Sequence, residues 1–449
     1  MFERIRRAPE SFVKAVVVGL ALVLIIARFV PLLSKPRGDF DLHYGLGMRL
    51  VAGKFLYGPG FDRVYPPFWA FVHAPFTFFD LHRVMIALFP LGVAVMVGLV
   101  FLLKAMADRV WPLPSDAVFW SSALAILLAA PFLHRDLVEL GVNTLLVLLT
   151  WVGIYLWTRG RDVLGGVPIG MAAALKCTPV AFVAYFFWKR QWKIAISGSV
   201  ATIFFTLLPM TVMGVHNFFY TEKYWLREVV WSGVSDPDPS RTVLGPDRVG
   251  NLSLRTALAR YLVHLPYGNP GRPETPVDVM IPNEPPEPLY FDVLALPPAT
   301  AGRVVKVILL VIAAWTAWLF RHSVKDHGDP RVLWECAAVS IAILLYSPLT
   351  WAQHCPGVLP ALYFMFRAAF AGERLPRGVD GVLIAFFIII CVLERGMVGG
   401  RWSGLMDAYH VRNFALLALF WATVRCRGVG ATAWARREIY AAEQPQLAV

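Results

Sequence analysis

The sequence predicts an all-α polytopic membrane protein, and three observations carry that reading. The 449 residues are 57% hydrophobic and only 16% charged, where a soluble chain would be about a quarter charged. Several apolar windows, among them Phe12–Leu33, Val84–Leu103, Ile194–Met213 and Val304–Phe320, have the length of about 18 residues that suffices to cross a bilayer. The Lys and Arg behind a net charge of +12 gather in short clusters between those windows, as the positive-inside rule expects of cytoplasmic loops. Such basicity meets anionic lipid headgroups and needs no nucleic acid. The five cysteines, Cys177, Cys336, Cys355, Cys391 and Cys426, are scattered and lack CxxC spacing, so neither a disulfide framework nor a zinc site is expected.

A single integral-membrane domain, 1–449, is expected, with both termini cytoplasmic. Arg4, Arg6, Arg7 and Lys14 hold the start of an uncleaved first span inside. The polar stretch from Gly38 to Pro67 therefore emerges outside, within an external loop of about 34–80 that we expect to be catalytic. Pro67–Phe79 is apolar but too short to span straight and should lie along or dip into the outer face. Gly165–Trp188 is long enough for one span, yet its flanks are basic on both sides and Lys176-Cys177-Thr178-Pro179 breaks it. A pair of short helices, rising to Lys176 and returning, satisfies both facts. A long external loop covers about 215–300. Inside it, Asn251–Val263 has the apolar spacing of a short interfacial helix, and Gly268–Pro288 reads as loosely ordered. A basic cytoplasmic tail runs from about 425 to 449. The count is about ten full spans plus the split pair.

Polar residues interrupt the apolar runs mainly at the outer ends: Asp39, Asp41, His134–Glu139, Asn143, Lys176, His354 and Glu394. They are expected to face one external cavity. A carboxylate at the edge of low dielectric is a natural general base, although Asp39 and Asp41 also read as solvated loop residues. Lys176 lies deep in an apolar segment, where an ionisable group faces a cavity or snorkels to the interface. As a compact cation it suits a phosphate. His354 ends the run Ser347-Pro348-Leu349-Thr350-Trp351-Ala352-Gln353-His354 and either caps a helix or meets substrate. Gly166-Val-Pro-Ile-Gly170 has the small-xxx-small spacing of helix packing.

In order and approximate spacing, a set of short motifs resembles the polyprenol-phosphate-dependent membrane glycosyltransferases of family 87, which have the type C glycosyltransferase fold. The set is Asp39-Phe40 with Tyr44, Leu50-Val51-Ala52-Gly53, Leu56-Tyr57 and Tyr65-Pro66-Pro67, then Gly141-Val142-Asn143, Gly170 through Lys176 and Pro179, Asn251-Leu252-Ser253-Leu254, and Ser347-Pro348 with Trp351 and His354. Bacterial phosphatidylinositol-mannoside mannosyltransferases and some arabinofuranosyltransferases belong to that family. The resemblance implies sugar transfer, as mannose or another hexose, from a polyprenyl-phosphate donor to a lipid or glycan acceptor. It places the protein in the plasma membrane with the site on the periplasmic side. It assigns the base to Asp39 rather than Asp41 and a catalytic role to His354. Substrate contacts are expected at Asp41, Tyr44, Tyr65, Asn143, Lys176, Asn251, Ser253 and Trp351, with no metal and no cofactor. The chain departs from the pattern at Val142 and Leu252, where Gln is expected, so two candidate sugar or phosphate contacts of the better-known members are missing. The rival reading, a multi-pass transporter or flippase, expects midplane sites between inverted repeats; no repeat is visible.

Overall fold

The structure is a computed structural model and describes residues 2–34, 38–57, 64–246, 250–265, 290–324 and 326–431. Nearly all of it is helical. A long first helix, α1 (Phe2–Ser34), precedes α2 (Phe40–Val51) and α3 (Pro67–His73), and α3 runs on as a tight turn over Ala74–Phe78. Then come α4 (Leu81–Val110), α5 (Ser115–Val138), α6 (Asn143–Thr158), α7 (Asp162–Leu175), α8 (Val180–Trp188) and α9 (Trp192–Leu207). Short α10 (Met210–Met213), α11 (Val215–Trp225) and α12 (Ser232–Ser235) lead to a two-residue hairpin, β1 (Arg241–Thr242) with β2 (Gly245–Pro246), and to α13 (Leu254–Leu262). The chain closes with α14 (Pro298–Leu319), α15 (Pro330–Tyr346), α16 (Leu359–Phe370), α17 (Val379–Phe387), α18 (Arg395–Ala408) and α19 (Val411–Arg425).

Among the described residues five helical segments are long and apolar enough to cross a membrane: Glu10–Ser34, Leu81–Val110, Ser115–Val138, Trp192–Met213 and Pro298–Leu319. The sequence expected about ten. The difference lies in interior helices such as α6 (16 residues), α15 (17) and α16 (12), which turns next to the polar cavity cut short. These helices form the core: Trp151, Trp334, Tyr363 and Phe364 are fully buried and pack as one cluster. The outer helices keep apolar faces bare, with Leu24, Phe101 and Leu310 each about two-thirds exposed, as hydrocarbon contact requires.

The split pair is present. α7 ends at Leu175 and α8 begins at Val180, with Lys176 in extended backbone between them. Close packing of α7 on α9 explains the glycine spacing. A Cβ at Gly166 would lie 2.5 Å from Gly198 N, and one at Gly170 would lie 2.5 Å from Gly198 O. The 34–80 region is largely helix rather than open loop, because α3 folds back on α2; a Cβ at Gly47 would lie 2.8 Å from His73 O. Gly268–Pro288 and the tail beyond 431 lie outside the described residues.

The interfacial placement of Asn251–Val263 is corrected. α13 is buried within the bundle, and its polar groups are spent internally: the Arg255 guanidinium donates to Asp236 O and Asp238 O, at 3.3 and 2.8 Å.

Candidate active site

Three of the expected site residues, Asn143, Lys176 and His354, converge on one cavity. From α6 it is lined by Asn143, Leu146, Val147, Thr150 and Trp151, and from α15 by Ser340, Ile343, Leu344 and Ser347. Both sets step by three or four residues, so each is a single helix face. Lys176 enters from the break between α7 and α8, and its Nζ donates to Asn143 Oδ1 at 3.1 Å and lies 5.8 Å from the Tyr65 ring centroid. His354 closes the cavity from the turn Ala352–Val358. Its Nδ1 accepts the Trp351 N–H at 3.2 Å, so the neutral ring carries its proton on Nε2 as a donor. Cation, amide and imidazole N–H are the groups that hold a phosphate.

Asp136 fixes the cavity's α6 edge. Its buried carboxylate accepts from Asn143 Nδ2 at 2.9 Å and from the backbone of Thr144, at 2.9 Å, and the Thr144 hydroxyl at 2.6 Å. This satisfies the N–H groups that a helix start leaves open and turns the Asn143 carbonyl oxygen toward Lys176. A Cβ on Gly141 would collide with Asp136 Oδ1, which explains a glycine there. Asp136 is therefore a positioning residue, one the sequence showed only as part of a polar string.

Asp39 does not line this cavity. It begins α2 half-buried, its backbone N–H donates to Glu139 O at 3.2 Å, and Arg135 bonds Glu139 at 2.7 Å. Gly38, at φ +92°, lets the two segments meet, since a Cβ there would lie 2.8 Å from Val138 O. Burial pushes the Asp39 carboxyl above its ordinary range, opposed by Arg135 and reinforced by Asp41. Glu139 is raised for the same first reason, again opposed by Arg135, with Asp39 adding to the rise. Asp41 instead faces outward and accepts the Leu42 N–H at 2.8 Å, so of the two only Asp39 has the desolvated setting of a base. One turn along α2, His43 is buried with its ring edge-on to the stacked Tyr65 and Trp69 rings, each 5.0 Å away, and its Nδ1 has no hydrogen-bond partner among the described residues.

Four other expected contact residues do not line this cavity. Asn251 is fully buried, accepts from Ser253 N at 3.1 Å and Thr350 N at 2.9 Å, and donates to Thr256 and Pro348. Ser253, also fully buried, caps α13 by accepting from Arg255 N at 3.2 Å. The Tyr44 hydroxyl is committed to Phe79 O at 2.8 Å, tying α2 to the end of α3. Trp351 begins the turn that carries His354 but does not line the cavity. Thr150 and Trp151, which do, were legible as the i+7 and i+8 partners of Asn143.

Comparison with known proteins agrees with this geometry. The profile of glycosyltransferase family 87 matches residues 64–348. A polyprenol-phosphate-mannose-dependent alpha-(1-2)-phosphatidylinositol mannoside mannosyltransferase of Mycobacterium tuberculosis is 25% identical over 349 residues, 73% of this chain and 69% of that protein. Its Mycolicibacterium smegmatis counterpart is 23% identical over 73% of this chain and 69% of its own. An alpha-(1->3)-arabinofuranosyltransferase of Corynebacterium glutamicum is 27% identical over 44% of this chain and 48% of its own. The crystal structure of apo ArnT from Cupriavidus metallidurans superposes on 97% of this chain and 80% of its own with a TM-score of 0.37 and 14% identity, too loosely to bear on the fold. With more than half of its length matched and several helices long and apolar enough to cross a membrane, the chain belongs to glycosyltransferase family 87 and is an integral membrane glycosyltransferase.

Proposed function

We propose that the protein transfers mannose, or another hexose, from a polyprenyl-phosphate carrier to a lipid or glycan acceptor on the periplasmic side of the plasma membrane, inverting the anomeric carbon. The observation that carries this reading is the cavity in which Lys176, Asn143 and His354 converge, together with a desolvated Asp39. Asp39 takes the proton of the acceptor hydroxyl. The hydroxyl oxygen forms its bond to the anomeric carbon as the bond from that carbon to the phosphate oxygen breaks. The electron pair leaves with polyprenyl phosphate, whose added charge falls on Lys176 and the His354 Nε2–H. General-base help of this kind contributes on the order of a hundred- to ten-thousandfold, and a positioned donor at a developing charge about a hundred- to thousandfold.

The two mycobacterial relatives, polyprenol-phosphate-mannose-dependent mannosyltransferases, make mannose the first donor to try. The test incubates membranes containing the protein with radiolabelled polyprenyl-phosphate mannose. Label passing into extractable glycolipid or glycan, above membranes without the protein, is expected. Label that stays with the donor, while polyprenyl-phosphate arabinose or glucose is consumed, would overturn the choice of sugar; no consumption of any of the three would overturn the reaction.

A further inference from the structure

A second cavity, of about 860 Å³, lies on the other side of the turn that Asp136 clamps. Its walls include Phe40, Val142 and Leu175, the sequence neighbours of Asp39, Asn143 and Lys176, so it backs directly onto the site. Unlike the first cavity, it has no lysine among the described residues of its lining. Met96, Leu88, Leu91, Val95 and Phe76 dominate the lining. Of the polar groups at its edge, Asp136 and Thr144 bond one another and His73 Nδ1 meets Trp69 O at 2.8 Å, while the Trp69 Nε1–H has no hydrogen-bond partner among the described residues.

Two facts fix its shape. The α4 wall from Leu88 to Met96 lies about 10–22 Å along the helix from Leu81 at about 1.5 Å per residue, which reaches the midplane of a hydrocarbon core about 30 Å thick. Gly92, Val95 and Met96 on that wall are half-buried and Leu91 is 56% exposed, so the cavity opens sideways where α4 faces lipid. A dry slot of this depth and opening fits a hydrocarbon chain.

We propose that this slot seats the apolar chain of the acceptor, which makes the acceptor a membrane lipid rather than a soluble glycan. The inference rests on the reading of Asp39 as the base and Lys176 as the phosphate site. The donor's phosphate belongs in the first cavity, whose deeper walls (Leu146, Val147, Phe182, Ile343, Leu344) already serve its nearest isoprene units. The acceptor hydroxyl must sit at Asp39, and the slot lies on that side of the dividing turn, against Phe40, Leu137 and Leu140. Two chambers on opposite sides of one clamped turn keep the two lipids apart and let their heads meet above it.

The test uses a dodecyl α-mannoside with a diazirine at the chain end, photolysed on the full-length protein in phosphatidylcholine vesicles. Labelling of peptides from α4 and the α5–α6 turn is expected, unchanged by excess decaprenyl phosphate, and reduced at least tenfold in Gly92→Phe and in Val95→Trp. A Cβ added at Gly92 meets a single neighbour within 4 Å, Leu137 Cδ1 at 3.2 Å; Val95→Trp fills the slot without that contact. Displacement of the label by decaprenyl phosphate would give the slot to the donor and overturn the proposal, as would labelling that maps elsewhere or survives both substitutions. The transfer assay on the same membranes separates the two failures. Transfer with labelling elsewhere defeats the slot alone, whereas specific labelling without any transfer defeats the reaction and leaves the slot standing.

Discussion

Lys176 and Lys189 are both lysines next to apolar helices, thirteen positions apart, and the molecule uses them in opposite ways. Lys189 is sealed: it pairs with buried Glu335 at 2.8 Å, donates to Phe320 O at 3.0 Å and His322 O at 2.6 Å, and Glu335 also accepts the Tyr185 hydroxyl at 2.7 Å. That charge ties α8, the end of α14 and α15 together. Lys176 holds an amide and an aromatic face and borders a cavity. An ionisable residue beside apolar sequence is thus a structural rivet when its partners close over it, and, as we propose for Lys176, a ligand site when they leave space.

The contrast is broken most severely at Lys189. Lys189→Ala leaves the Glu335 carboxylate buried without its cation, a loss of about 3–5 kcal/mol, and a large fall in the thermal midpoint in detergent is expected. An unchanged midpoint would show that the pair is not structural. Lys176→Ala should do the reverse, lowering turnover about a hundred- to thousandfold while the midpoint stays near wild type. If both variants lose stability alike, the distinction fails.

Gly141→Ala probes the wall between the chambers. The added methyl collides with Asp136 Oδ1 and frees buried hydrogen bonds worth about 1–3 kcal/mol. A lowered midpoint together with a raised KM for the donor is expected, because Asn143 would no longer present its oxygen to Lys176. The smallest effect is expected at Arg135. The Asp39 carboxyl is raised by burial and held back by Arg135. As a base Asp39 works deprotonated, so activity is lost as pH falls through its raised pKa. Arg135→Gln removes the opposing cation and lifts that pKa further, so the acidic limb of the pH–activity profile should move to higher pH. A limb that stays put would separate Arg135 from the base.

The broken helix pair was legible because two basic flanks and a proline cannot fit a single crossing, and Lys176 was legible with it. The face of α6 was also readable, since Asn143 and Thr150 repeat at helical spacing. What stayed hidden depends on burial. Asn251 and Ser253 are residue types that bind sugars and also cap helices, and only the packing of α13 against Thr350 and Asn413 decides for capping. His43 was visible beside Asp39, but its enclosure by Tyr65 and Trp69 follows from α3 folding back on α2, a contact that local spacing does not encode. Five described helices have the length and composition of full spans where about ten spans were expected; interior helices next to a cavity can be short without exposing backbone to lipid.

The central claim is that Asp39, and not its exposed neighbour Asp41, activates the acceptor. The most direct test compares Asp39→Asn and Asp41→Asn with wild type at equal protein level, following label from the polyprenyl-phosphate sugar into product. Loss of transfer in Asp39→Asn, on the order of a hundred- to ten-thousandfold, with Asp41→Asn near wild type, is the result predicted. Transfer undiminished in Asp39→Asn would contradict the account.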